Sequence, residues 1–278
     1  MSCKTAFVTG GSQGIGAAIA ITLASKGFQV AIGSRNEAKA QNVLKAIKEV
    51  SSPEAKDPIF VNVDVSDKES VNKAVDEVAK YFGSFDVMIN NAGIAKVHKL
   101  LDVDAKEFDQ VMDVNVKGVL YGMQAAAKKM IELNRKGDYG NVITQENQPK
   151  KLTGKIINCC SIGGNVPMPM MSAYTVSKYA VKGLTAVGAK EFAPYGITVN
   201  AYAPGPVLTP MWDDLDAQLA SMNGLGPGEN LKAFIESIAL KRGANAQDIA
   251  NLVGFLASDA SDYITGQNYV VDGGLTCS

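Results

Sequence analysis

The chain alternates short apolar runs rich in β-branched residues with longer segments in which apolar side chains recur at helical spacing. The short runs are typical of buried strands and the longer segments of amphipathic helices. Strands are predicted at residues 5–9, 29–34, 59–64, 87–90, 155–159, 198–203 and 268–271. Helices are predicted at residues 15–26, 37–50, 67–81, 109–133 and 173–192. This order predicts an α/β fold, in which a parallel sheet of about seven strands is covered by helices on both faces.

Two segments interrupt this alternation. Residues 134–154 are polar and rich in turn-forming residues, which predicts an inserted, exposed loop before the fifth strand. Residues 207–231 favour a lid over a ligand pocket, and the alternative is a helical excursion packed on the core. Their large apolar side chains are Met211, Trp212, Leu215, Leu219, Met222 and Leu225. Since no repeat or linker separates regions of different composition, we interpret residues 1–278 as a single domain.

The charge balance argues against two classes of partner. Lys and Arg total 27 and Asp and Glu total 28, which leaves a formal net charge of −1. Without a basic excess, neither nucleic acid nor an anionic membrane surface is an expected partner. The N-terminus lacks the pattern of a secretory signal, and every apolar run is broken before about 18 residues. We therefore expect a cytoplasmic protein without a membrane span.

Residues that commonly bind metals are sparse. The single histidine, His98, has no second histidine or carboxylate at ligand spacing, so we interpret it as a surface or loop-packing residue. The four cysteines show no C-x-x-C spacing. Cys159 and Cys160 are adjacent within an apolar run and are interpreted as small buried strand residues. We expect no metal site.

A glycine-rich turn follows the first predicted strand and opens the first predicted helix. Glycines at such a turn allow a sharp bend, a close approach of backbone N–H groups to a pyrophosphate, and tight packing of the helix on the sheet. The helix N-terminus adds partial positive charge. The turn therefore predicts a dinucleotide site that includes Gly10, Ser12, Gln13, Gly14, Ile15 and Gly16.

The glycine spacing, G-x-x-x-G-x-G, resembles that of the short-chain dehydrogenase/reductase family. Further motifs follow in the family's order: Asp64, Asn90-Asn91-Ala92-Gly93, Asn115, Ser161, Tyr174-x-x-x-Lys178 and Pro204-Gly205. The resemblance extends from about residue 4 to residue 274. It implies a Rossmann-type doubly wound fold and an enzyme that transfers hydride between a nicotinamide dinucleotide and a ketone or alcohol.

The candidate catalytic residues are Asn115, Ser161, Tyr174 and Lys178. Tyr174 and Lys178 stand four positions apart in a predicted helix, so they share one face. A nearby ammonium favours the tyrosinate, so we expect Lys178 to bring the pKa of Tyr174 down toward working pH and make it a general acid or base. Ser161 ends the fifth strand, where its hydroxyl can hold the substrate oxygen. The resemblance implies that Lys178 also holds the nicotinamide ribose and that Asn115 anchors a proton-relaying water; taken singly, each residue is more often structural.

The resemblance implies that the cofactor site extends beyond the glycine turn. Its further predicted residues are Ser34, Arg35, Asn36, Asp64, Val65, Asn91, Ala92, Gly93, Tyr174, Lys178, Pro204, Gly205, Val207 and Thr209. Ser34 stands where NAD-preferring enzymes place a carboxylate, and Arg35 can pair with a 2′-phosphate. These residues favour NADP(H). NAD(H) stays open, because Gln13 occupies a position that is often basic in NADP-dependent relatives.

The substrate is predicted from the lid and from resemblances within the family. Residues 115–119, 124–126 and 261–267 resemble those of diacetyl/acetoin reductases and 2,3-butanediol dehydrogenases. Residues 207–231 contain no Lys or Arg to clamp a phosphate, while Asp213, Asp214, Asp216 and Glu229 would repel one. With Ile162, Val166, Pro167 and Met168 also expected beside the pocket, we predict a small uncharged ketone or alcohol, in particular a vicinal diketone or hydroxyketone. The alternatives are a 3-oxoacyl thioester, a sugar or polyol, or a non-catalytic dinucleotide sensor.

The resemblance also implies a homotetramer that packs the helices at 109–133 and 173–192 across subunits. The first of these carries Val116, Val119, Leu120, Met123 and Ala126, which make it apolar on more than one side.

Overall fold

The computed structural model describes residues 3–135 and 152–277. Its sheet is parallel throughout and has the order β3-β2-β1-β4-β5-β6-β7. The strands are β1 (Thr5–Thr9), β2 (Gln29–Ser34), β3 (Ile59–Asn62), β4 (Val87–Asn90), β5 (Gly154–Cys159), β6 (Ile197–Pro204) and β7 (Asn268–Val271). The predicted parallel α/β sheet is confirmed. Most of the predicted loop at 134–154 lies outside the described residues.

Nine helices are found in the described ranges. They are α1 (Gly14–Ser25), α2 (Glu37–Val50), α3 (Lys68–Phe82), α4 (Ala105–Met112), α5 (Gly118–Arg135), α6 (Ser172–Phe192), α7 (Pro210–Asn223), α8 (Glu229–Ser237) and α9 (Ala246–Ala257). The predicted helix at 109–133 is α4 and α5 joined by a π-helical turn at Asp113–Lys117. Helices α8 and α9 were missing from the prediction.

The helices cover both faces of the sheet, as predicted. On one face, α3, α5 and α6 pack on a core that includes Phe7, Met88 and Val199. On the other face, α1, α2 and α9 pack on a core that includes Ile32 and Tyr202. The sheet is thus held between two apolar layers, and its strand ends remain available for a site.

The apolar residues of the helix predicted at 109–133 lie in two environments. Val119, Met123 and Ala126 lie in the chain's own core, because α5 packs against α3 and β4. Val116 and Leu120 are only partly buried. Packing of this helix against a second subunit stays a prediction.

Segment 207–231 is largely helical. Its secondary structure therefore agrees with the alternative prediction of a helical excursion. Helices α7 and α8 share a small apolar cluster with Val97 and Met171, in which Trp212 meets Phe234 edge to face at 5.3 Å. Leu225 is 44% exposed and does not join this cluster, because it follows the left-handed Gly224 that ends α7.

Candidate active site

The carboxyl ends of the strands surround a cavity of about 290 Å³. Strands β1 and β4 are neighbours here although β2 and β3 come between them in the sequence. In open parallel sheets, ligands bind at such a reversal of strand order. The cavity runs from the glycine turn to helices α7 and α8.

The glycine turn fits a pyrophosphate. Gly10 and Gly14 have φ of +65° and +54°, which L side chains rarely adopt. A Cβ on Gly16 would stand 2.3 Å from the Gly10 carbonyl oxygen, so this position has no room for a side chain. No side chain caps the first turn of α1, which leaves its N–H groups to an anion. All six predicted turn residues line the cavity.

The nicotinamide end of the predicted site also faces the cavity. The predicted residues that line it here are Asn91, Ala92, Gly93, Pro204, Gly205, Val207 and Thr209. Asn91 follows β4, and its Nδ2 donates hydrogen bonds to the carbonyl oxygens of Thr9 and Gly10 at 3.0 and 3.2 Å. The loop after β4 is therefore bonded directly to the glycine turn.

At the adenosine end, Ser34, Arg35, Asp64 and Val65 line the cavity. The Arg35 side chain is 68% exposed and its Nη1 lies 3.9 Å from Asp64 Oδ2. Asn36 was predicted to bind the cofactor, but it does not line the cavity. Instead, its Oδ1 accepts a hydrogen bond from Lys39 N and caps α2. This placement follows from its N-cap position, which satisfies one of the helix's free N–H groups.

Lys39 is a residue that the sequence reasoning missed. It stands in the first turn of α2, and its Nζ reaches Gln13 Oε1 at 3.5 Å. A second cation therefore stands beside the glycine turn, supplied by a helix rather than by the turn itself. The sequence signal for a cation here was the position of Lys39, two residues after the start of α2.

Ser161, Tyr174 and Lys178 meet in the cavity wall. Ser161 lies two residues beyond the end of β5, and its Oγ accepts a hydrogen bond from Gly163 N at 3.1 Å. Tyr174 and Lys178 stand one turn apart in α6, with Lys178 Nζ 5.4 Å from the centre of the Tyr174 ring. Lys178 Nζ also donates to the Cys159 carbonyl oxygen at 2.8 Å. Since strand and helix are both packed in the core, the three groups are held in fixed relation.

Burial and the nearby positive charge shift the pKa of Tyr174 in opposite directions. Burial raises the pKa of Tyr174, while the Lys178 ammonium and a hydrogen bond with Ser161 lower it by less. The expected net fall in this pKa is therefore wrong, although Lys178 acts in the expected direction. For Lys178, burial lowers the pKa, but the negative charge available on the acidic side chains of Cys159, Tyr174 and Cys160 raises it by more, so the pKa is raised and the ammonium is retained.

Asn115 is fully buried in the π-helical turn and does not line the cavity. Its amide exchanges two hydrogen bonds with the Ile94 backbone, each 2.9 Å, and donates a third to Ser177 Oγ at 3.0 Å. Ser177 Oγ in turn donates to the Tyr174 carbonyl oxygen at 2.6 Å. Asn115 thus connects the loop after β4 to the helix that carries Tyr174.

The remaining end of the cavity is apolar. Its lining side chains are Ile94, Ile162, Met168, Met171, Met211, Trp212, Leu215 and Phe234. Trp212 is 9% exposed, and its Nε1 has no hydrogen-bond partner among the described residues. Val166 and Pro167, which were expected here, do not line the cavity.

None of the four acidic residues of 207–231 that were expected to repel a phosphate lines the cavity. Asp216 is buried, and its carboxylate accepts hydrogen bonds from Gly228 N at 2.6 Å and Leu231 N at 3.3 Å. It joins α7 to α8. Asp213 and Asp214 are exposed on α7.

The single histidine lies beside an acidic side chain of α4. His98 Nε2 lies 2.6 Å from Glu107 Oε2, and Lys96 Nζ lies 3.3 Å from Glu107 Oε1, so His98 joins its loop to α4. Across residues 3–135 and 152–277, no group of three or more His, Cys, Asp or Glu side chains is placed to hold a metal ion. Over the same residues, no helix is long and apolar enough to cross a membrane.

Known proteins resemble this chain over nearly its full length. A family model described as enoyl-(acyl carrier protein) reductase matches residues 10–276. L-2,3-butanediol dehydrogenase from Corynebacterium glutamicum is 44% identical over 272 residues, covering 98% of each chain. Diacetyl reductase [(S)-acetoin forming] from Staphylococcus epidermidis is 38% identical over 273 residues, also covering 98% of each.

Solved structures share the fold. Levodione reductase has a TM-score of 0.86 at 31% identity, covering 98% of this chain and 96% of that one. Actinorhodin polyketide ketoreductase with NADPH has a TM-score of 0.87 at 26% identity, covering 99% of this chain and 98% of that one.

Proposed function

Since this chain belongs to the short-chain dehydrogenase/reductase family, whose members are nicotinamide-dependent oxidoreductases, we propose that it interconverts a vicinal diketone or hydroxyketone with the corresponding alcohol. The observation that carries the proposal is the meeting of Ser161, Tyr174 and Lys178 between the dinucleotide-binding turn and an apolar cavity end. The relatives named for butanediol and diacetyl support the substrate class.

In this mechanism, the Tyr174 hydroxyl gives its proton to the substrate oxygen during reduction and takes it back during oxidation. Ser161 Oγ holds the same oxygen. The glycine turn and the residues after β4 and β6 would hold a nicotinamide dinucleotide, which would supply or accept the hydride at the substrate carbon. Lys178 holds a positive charge beside the phenol, which stabilises the tyrosinate that remains after proton transfer. Asn115 was expected to anchor a water that relays the proton, but it is buried away from the cavity. Its amide bonds to Ile94 and Ser177, so in this mechanism it holds the helix that carries Tyr174 in position.

Trp212 forms part of the wall of the apolar cavity end. Its indole N–H is inaccessible to solvent and has no hydrogen-bond partner among the described residues, so the indole offers the cavity an apolar surface. An apolar wall of this kind favours a small uncharged substrate over a charged one.

We further propose NADP(H) as the preferred cofactor, with NAD(H) as the alternative. Arg35 and Lys39 place two cations at the adenosine end, where Ser34 contributes no negative charge. A 2′-phosphate would gain charge-assisted hydrogen bonds from both cations. The ketoreductase solved with NADPH shows that the same fold holds this cofactor.

The substrate proposal is tested by measuring kcat/KM for diacetyl, acetoin, butanone, an acyl thioester and a phosphorylated sugar. We expect diacetyl or acetoin to be preferred. A hundredfold preference for the thioester or sugar would contradict the proposal.

The cofactor proposal is tested with both nicotinamides. The parent should prefer NADPH, and Ser34→Asp combined with Arg35→Ala should shift the preference toward NADH by adding a repulsive carboxylate and removing a phosphate partner. A parent that already prefers NADH would reject it.

A further inference from the structure

Tyr202 is a fully buried tyrosine in β6 that does not line the cavity. Its strand lies between β5 and β7, and its ring packs in the core beneath the dinucleotide side of the sheet. Burial raises the pKa of Tyr202 well above its usual value, so the hydroxyl keeps its proton at all working pH values. A buried hydroxyl of this kind needs a partner.

That partner is Asn91. The Tyr202 hydroxyl donates to Asn91 Oδ1 at 2.8 Å. The Asn91 Nδ2 group is then directed to the carbonyl oxygens of Thr9 and Gly10. Since an amide has one oxygen and one nitrogen end, a donor fixed at the oxygen end determines which way the nitrogen end points.

The orientation of Asn91 matters because its amide lies against the glycine turn. A Cβ built on Gly10 would stand 2.9 Å from Asn91 Nδ2, and one built on Gly16 would stand 2.6 Å from it. The amide therefore fills the space that both glycines leave. An Asn91 side chain that rotated would either lose its bonds to the turn or displace the backbone that receives the pyrophosphate.

We propose that Tyr202 is a positioning residue for dinucleotide binding, acting through Asn91 on the backbone of the Thr9–Gly10 turn. It contacts neither the cofactor nor the substrate. The hydroxyl stabilises one orientation of the Asn91 amide, and the amide holds the turn in the shape that binds a pyrophosphate. The inference rests on the dinucleotide site of the proposed function but is independent of the substrate and of the choice between NADP(H) and NAD(H).

The test is Tyr202→Phe, which removes the hydroxyl and keeps the ring. We expect the Kd for the preferred reduced dinucleotide, measured by titration calorimetry, to rise about tenfold, which corresponds to about 1.4 kcal/mol. At saturating dinucleotide, kcat should stay within threefold of the parent, because the groups that touch the substrate are unchanged. A loss confined to affinity distinguishes positioning of the turn from general damage.

Tyr269→Phe is the matched control. Tyr269 pairs with Tyr202 in the neighbouring strand and packs in the same core but does not line the cavity. Its substitution should change the Kd by less than twofold. An equal loss in both variants would overturn the proposal, as would a Tyr202→Phe protein with parental Kd, or one that fails to fold by circular dichroism.

A double-mutant cycle with Asn91→Ala tests whether the Tyr202 hydroxyl acts through Asn91. Once Asn91 is absent, Tyr202→Phe should change the Kd by less than twofold. Additive losses would show that the hydroxyl acts by another path and would overturn the proposal. A parent that binds neither dinucleotide would instead contradict the proposed function.

Discussion

The environment of a single phenol governs the proposed chemistry. Tyr174 is partly buried, and the loss of water around its hydroxyl disfavours the anion, whereas a retained ammonium one helical turn away favours it. The balance makes Tyr174 a proton donor at rest that can become an anion during turnover.

Tyr174→Phe should therefore lower kcat by at least a thousandfold, because it removes the transferred proton and little volume. The Kd for dinucleotide should stay within threefold. Tyr179→Phe is the control, since Tyr179 lies on the same helix and donates instead to the Asn165 carbonyl oxygen. Single-turnover kinetics measure the effect, and a Tyr174→Phe rate within tenfold of the parent would remove Tyr174 from its proposed role.

Lys178 should set the pH dependence of alcohol oxidation. Oxidation requires the deprotonated phenol, so its rate rises as pH passes through the pKa of Tyr174. Because the Lys178 ammonium lowers that pKa, Lys178→Met should move the rise to higher pH. The profile of kcat/KM against pH measures this shift, and a shift to lower pH would contradict it.

At this scale the sequence identified groups that are close along the chain and missed those that are not. Tyr174 and Lys178 share a helical turn, and Ser161 stands two residues beyond a recognisable strand. The net pKa of Tyr174 depends on burial by distant segments, which spacing does not encode. Tyr202 was missed because its partner is 111 positions away.

At the scale of elements, capping decides where several helices begin. Asn245 and Asp248 form a reciprocal capping box at the start of α9, and α9 packs against α1. This pair was the sequence signal that the prediction overlooked. Strands were found more readily, because their apolar runs are short, continuous and bounded by turn residues.

Asn245→Ala should lower the free energy of unfolding by about 1 kcal/mol, because the Asp248 backbone N–H loses its acceptor. Urea denaturation measures the change. Asn251→Ala, at an exposed position of the same helix, should change it by less than about 0.5 kcal/mol. Equal effects of the two substitutions would show that the cap does not stabilise α9.

For the whole molecule, the sheet order and the two-layer core followed from the order of strands and helices, since parallel neighbours require crossover helices. How a second copy of the chain packs against the first does not follow from the order of strands and helices. On α6, Val176, Tyr179 and Val187 are 47%, 43% and 52% exposed, an apolar surface on a single chain. We propose that this surface is covered in a closed homotetramer of single-domain subunits.

Light scattering at micromolar concentration should then give a mass near four times 29.3 kDa. Val187→Glu on α6 should lower that mass, because a buried unpaired charge is costly at an interface. An exposed Val50→Glu on α2 is the control and should leave the mass unchanged. A monomeric parent would reject the proposal.

The position of Trp212 has an optical consequence. It is the single tryptophan of the chain, and it stands in the wall of the cavity beside Phe234. Indole emission from this protein therefore comes from one place, the α7 side of the substrate cavity. Quenching or a change in emission colour during a stopped-flow experiment would report the arrival of a ligand there without an attached dye, and energy transfer to a reduced nicotinamide would time the two binding events separately.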